Sequence, residues 1–142
     1  MSFICPIKLG RRYGLEVVWV RVPLTVIGAR GDVEHRFIFD TGCEITTVSE
    51  DVATRLGLPT GGRPVSMHGL SGAATGRLVN VRFRFPRTVS GTPGLEVDST
   101  WVVTGGRTNL ALLGFREVER RFCIRTLEFD TYFIPWTSIH GS

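Results

Sequence analysis

The chain has 142 residues, 42% of them apolar and 21% charged, with a net charge of +4. That is enough for one domain with a buried core, expected to cover 1–142 with its structural centre at about 15–130. No run of about 18 apolar residues is present, so no membrane partner is expected; "MSFICPIKLGRR" lacks the basic start and apolar stretch of a secretory signal, which points to the cytoplasm.

The pattern is mostly strand. "LEVVWVRVPLTVIG" (15–28) is rich in branched apolar residues, "ARGD" (29–32) is a turn, and "VEHRFIFD" (33–40) returns, so 15–40 predicts a hairpin. Pro23 marks an edge or a bulge in its first arm. His35 is expected on the face opposite the apolar positions. Ser49 can cap a helix near 50–56, with Glu50 and Asp51 in its first turn and Gly57 and Pro59 as stop signals. "RPVSMHGLSGAATGRLVNVRFRF" (63–85) predicts a long hairpin with a glycine-bearing tip. Within it, Arg82 and Arg84 alternate with Phe83 and Phe85, as in a half-buried strand. "TVSGTPG" (88–94) and "GGRTN" (105–109) read as loops. They flank "LEVDSTWVV" (95–103), a strand with Val97, Trp101 and Val103 inward. "LALLGFREVERRF" (110–122) reads as an apolar strand, a glycine and a short helix with Phe115, Val118 and Phe122 on one side. The "REVERR" charges are expected to be solvated. "CIRTLEFDTYFIPW" (123–136) closes as strand.

Several function classes recede on these residues. Lys8 is the single lysine, and the arginines are scattered rather than gathered on one face, so no nucleic-acid partner is expected. Cys5, Cys43 and Cys123 form no CxxC pair and read as reduced, mostly buried thiols. The three histidines show no ligand spacing, so neither metal nor cofactor is expected.

One motif stands apart. "FIFDTGCEIT" (37–46) runs an apolar strand into Asp40-Thr41-Gly42. An aspartate before glycine is common in turns, but the order around this one is specific. A Thr and a helix ending in Leu-Gly-Leu follow, then the glycine-tipped hairpin. "LLG" (112–114) comes about 70 residues after Asp40 and opens a second helix.

That order resembles the retropepsins, the single-domain aspartic proteases, over roughly residues 15–130. The resemblance implies an all-β, closed-barrel-like fold with one or two short helices, acting as a homodimer on a peptide or protein substrate. It implies Asp40, Thr41 and Gly42 as the catalytic loop, with Thr41 reaching across the two-fold axis and Gly42 allowing close approach. It implies a flap over 65–79 with its tip at Gly69 to Gly72. Ile45, Met67, Gly69, Leu70 and Leu112 are the substrate-binding candidates. Two departures are visible: Cys43 stands where Ala or Ser is usual, and Phe115-Arg116 follow Gly114, suggesting a Glu44–Arg116 pair. The alternatives are a catalytically silent dimerisation or peptide-binding module on this fold, and a basic β-barrel that binds nucleic acid.

Overall fold

The computed structural model describes residues 2–69, 72–106 and 108–136; the side chains of 68, 69, 72 and 73 lie outside that description. In chain order the elements are β1 (Phe3–Arg12), β2 (Leu15–Gly28), β3 (Gly31–Asp40), β4 (Thr47–Ser49) and α1 (Glu50–Leu56). There follow β5 (Arg63–Gly69), β6 (Gly72–Arg84), β7 (Glu96–Thr104), β8 (Ala111–Gly114), α2 (Phe115–Glu119), β9 (Phe122–Leu127) and β10 (Asp130–Pro135). Among the described residues, no helix is long and apolar enough to cross a membrane.

The strands lie in the order β5-β6-β7-β4-β8-β3-β2-β1-β10-β9, and β6 also pairs with β2. That extra pairing, Thr25 opposite Arg84 and Val26 opposite Phe83, closes β2, β3, β8, β4, β7 and β6 into a ring. The expected closed-barrel-like, mostly β fold is present. Pro23 sits where β2 changes partners: residues 15–20 pair with β1 and 25–26 with β6, while 21–24 pair with β3 alone. A residue without an N–H fits a stretch with a free strand edge.

Period-two patterning fills the interior. Val22, Leu24 and Val26 of β2 are buried, as are Val79, Val81 and Phe83 of β6. Trp101 packs edge-on against Phe37, with ring centroids 5.3 Å apart, and tilted against Phe83 at 5.2 Å. A second aromatic group, Phe3, Phe85, Phe122 and Phe133, fastens β1, β9 and β10 to the barrel. Outward, Arg82 and Arg84 pair with Glu96, and Arg84 also with Asp32. Such exposed pairs contribute little, on the order of 0–1 kcal/mol each.

The helix at 50–56 forms as its caps dictate. Val52 N–H donates to Ser49 Oγ at 3.2 Å, and Gly57 takes the left-handed conformation (φ 70). Arg77 ties β6 to this helix, donating to both carboxylate oxygens of Glu50 at 3.0 Å and to the carbonyls of Pro59 and Gly61.

Four expectations are corrected. Residues 123–136 are not one strand: β9 and β10 form a hairpin turning at Glu128, which holds φ 56 without a glycine or asparagine to signal it. His35 shares a face with buried Phe37, ring to ring at 5.6 Å, and is half-buried rather than on the outer face. Glu117 of the charged run is only 4% exposed, bonded by Ser99 Oγ and by Arg121 at 3.1 Å, and is not solvated. Phe115 is 41% exposed and does not share the buried side of Val118 and Phe122. The chain also folds an N-terminal strand, β1, that its interrupted pattern (Pro6, Lys8, Gly10) did not announce.

Leu113 on β8 is fully buried. Leu113→Ala is expected to lower unfolding stability by about 2–5 kcal/mol, read as a reduced urea midpoint at unchanged slope.

Candidate active site

The site is built on one parallel pair. β3 lies beside β8 with Ile38 opposite Leu112, Phe39 opposite Leu113 and Asp40 opposite Gly114. Asp40 is half-buried at the strand end, and Thr41 and Gly42 are exposed. Gly42 N–H donates to Asp40 Oδ1 at 2.9 Å, and Cys43 N–H to the Asp40 carbonyl at 3.1 Å. The loop thus turns tightly around its own carboxylate. Among the described residues, only that one carboxylate oxygen has a donor.

The next residues dock onto the end of β8. Phe115 N–H donates to the Cys43 carbonyl at 2.8 Å and Arg116 N–H to the Glu44 carbonyl at 3.0 Å. The expected Glu44–Arg116 side-chain pair is not what joins these segments; their backbones do. Gly114 N–H donates to the buried Thr46 hydroxyl at 3.0 Å. A Cβ on Gly114 would stand 2.5 Å from the Ile45 carbonyl carbon and from Thr46 N, and 2.8 Å from the Glu44 oxygen. Only glycine allows that approach. Thr46 was not singled out in the sequence, although its place between the tripeptide and the helix was noted.

Cys43 Sγ donates to the Ile45 carbonyl at 3.0 Å, and Thr47 Oγ1 donates to the same oxygen at 2.8 Å. Burial pushes the Cys43 thiol up and the nearby Asp40 charge adds to the rise, against the lowering effect of the Thr47 hydroxyl 3.7 Å from Sγ and of the Ile45 carbonyl. Cys5, buried at the aromatic end, is pushed up to about 12. Cys123 is half-buried, and all three cysteines are free. Among the described residues, no group of three or more His, Cys, Asp or Glu could hold a metal.

The candidate residues fall into two sets. Leu112 is half-buried beside Ile38 on β8, and Ile45 is half-buried in the docked loop, so both stand next to the Asp40 strand end. Met67 and Gly69 lie on β5, in the hairpin arm that pairs with β6. Leu70 lies outside the described residues. Gly69 pairs with Gly72, which closes the long hairpin as expected. A cleft of about 750 Å³ is lined by Val26, Leu58, Arg82 and Thr100 among others.

Two outcomes follow. Gly114→Ala must displace the loop at Ile45–Thr46, and it is expected to unfold the protein at a lower temperature and to remove any activity that depends on Asp40. Asp40→Asn removes a charge that raises the Cys43 pKa. The Cys43 thiolate then forms at lower pH, and iodoacetamide labelling of Cys43 near pH 8 should be faster than in the parent, read by peptide mass spectrometry.

Comparison with known proteins fits this geometry. Residues 8–116 match the family model described as aspartyl protease. No curated relative matches the sequence. Among solved structures, a retropepsin-like aspartic protease from Rickettsia conorii superposes with a TM-score of 0.57 at 16% identity, covering 94% of this chain and 89% of that one. The fold is therefore retropepsin-like, and with the family model spanning most of its length the chain belongs to the aspartyl protease family.

Proposed function

We propose that the protein is a homodimeric aspartic endopeptidase whose catalytic dyad is made of Asp40 from each of two chains. The observation that carries this reading is the Asp-Thr-Gly loop itself. It offers a half-buried carboxylate at a strand end, with Thr41 and Gly42 exposed beside it and a glycine-backed platform beneath. The sequence holds a single Asp-Thr-Gly, so a pair of such carboxylates needs two chains.

Two carboxylates about 3 Å apart do not ionise together and share one proton. The ionised Asp40 takes a proton from a trapped water as its oxygen attacks the peptide carbonyl carbon. The protonated Asp40 donates to the carbonyl oxygen. Collapse of the tetrahedral diol breaks the C–N bond, and the amine leaves with a proton returned from the dyad. In this reading Gly42 N–H holds Asp40 Oδ1 in place, and Thr41 binds the partner loop. Ile45 and Leu112 border the scissile bond and favour apolar side chains. The hairpin carrying Met67, Gly69 and Leu70 closes over an extended peptide, adding main-chain hydrogen bonds. The chemistry uses no cofactor.

Parent protein and Asp40→Asn incubated with a diverse peptide mixture between about pH 4 and 7 test the reading. Cuts between apolar residues are expected from the parent alone, with Asp40→Asn reduced at least a thousandfold, on the order of the loss when one member of a catalytic set is removed. No cuts from a folded, dimeric parent would favour a peptide-binding module instead.

A further inference from the structure

The ends of β1 and β2 leave the body together. Residues 7–12 of β1 pair with 15–20 of β2, in register from Ile7 opposite Val20 to Arg12 opposite Leu15. The other strand partners lie elsewhere: β10 takes Phe3–Pro6, and β3 takes Arg21–Gly28. The result is a two-stranded ribbon turning at Tyr13 and Gly14, which hold φ 55 and 75. A two-stranded ribbon alone is marginal in water.

Its two faces differ. On one, Trp19 lies over Gly10, where a Cβ would collide with the indole, and Arg12 stacks on the same ring 5.5 Å from its centroid. On that face Arg12 and Gly10 contact the half-buried indole, while Leu15 opposite Arg12 is 67% exposed. The other face continues the core. Phe3 and Cys5 of β1 and Val22 and Leu24 of β2 are buried. Two residues further out on the same face, Ile7 and Val20 are half-buried, and beyond them the cross-strand pair Leu9 and Val18 is 62% and 59% exposed. Arg11 and Glu16 end the stripe with charge. Phe129, 70% exposed, adjoins its base through the bond from Ile7 N–H to the Phe129 carbonyl at 2.7 Å. An apolar core face running out of the body, uncovered by the described residues, marks an interaction surface.

The ribbon's direction names the occupant. β2 runs antiparallel to β3 with Arg21 opposite Ile38, so continuing that register sets Trp19 level with Asp40. Residues 15–18 therefore project past Asp40 by about 13 Å at the rise of a strand. Two Asp40 carboxylates within bonding reach bring the second chain to the level of Asp40. A ribbon that overshoots this level reaches toward the space that chain occupies.

We infer that the β1–β2 ribbon is a dimerisation arm, its Leu9–Val18 face packed on a second copy of this chain beside the paired Asp40 loops. The inference rests on the two-chain reading of the site. It assigns a surface outside the Asp-Thr-Gly loop to hold the loops together, with an apolar centre and a charged rim at Arg11 and Glu16.

Sedimentation of the full chain over a concentration series, with peptide cutting measured on the same samples, tests it. The variants are Val18→Asp and the milder pair Leu9→Ser with Val18→Ser. Both positions are exposed in one chain, so circular dichroism should match the folded parent, and melting should fall only by the stabilisation that the lost dimer supplied. The expected result is a dimeric parent and variants whose dimerisation weakens about thirtyfold or more, as for central interface residues. Cutting per chain should fall with the dimer fraction and recover at high protein concentration. A dimeric parent with equally dimeric, equally active variants would overturn the arm and leave the dyad reading standing. A parent monomeric at every concentration would overturn both. A dimeric parent with monomeric variants, but cutting absent or unchanged in Asp40→Asn, would uphold the arm and reject the dyad.

Discussion

The missing side chain at Gly114 is the constraint on which the site depends. β3 and β8 run in parallel, and their ends deliver Asp40 and Gly114 side by side. Because Gly114 has no Cβ, the backbone of residues 44–46 lies directly on it. That contact lets Thr46 accept from Gly114 N–H while Phe115 and Arg116 donate back to Cys43 and Glu44. One small residue thus binds together a strand end, a functional loop and the start of α2. A larger residue would separate the carboxylate from its support even if every other contact were kept.

The barrel and its edges divide the labour. The ring of six strands is filled by Trp101, Phe37, Phe83 and the β2 valines, and it leaves little freedom to the strand that carries Asp40. What extends from that ring is either tethered or exposed. Arg77 tethers the long hairpin at its base through four hydrogen bonds to α1 and the loop after it. The β1–β2 ribbon is held at its base, where Ile7 N–H donates to the Phe129 carbonyl. A rigid centre with reaching edges suits chemistry that needs a fixed carboxylate and adaptable surroundings.

Local chemistry was legible in the sequence, and long-range chemistry was less so. Ser49 and Gly57 bound α1 because capping acts within a few residues. The hairpins at 15–40 and 63–85 carried their own turn signals. The three-residue β4 did not, since it exists only because β7 and β8 flank it. The β9–β10 turn was hidden because Glu128 takes a conformation usually left to glycine. Glu117 read as solvated because its partner Ser99 lies on β7, 18 residues away in the sequence, although Arg121 is a local partner. At the site, Asp40, Ile45 and Leu112 were legible from one motif and one tripeptide. Met67 came from the resemblance alone, and it lies on β5 in the long hairpin.

The bond from Gly114 N–H to Thr46 Oγ1 closes a span of 68 residues. Its consequence is temporal. Contacts that distant form late, because the chain must first lose the entropy of closing so long a loop. A nascent chain that ends before β8 already contains Asp40, Thr41 and Gly42 but lacks the glycine beneath them. The carboxylate becomes a structured group only when the last third of the polypeptide has arrived, so the order of synthesis itself delays the assembly of the loop.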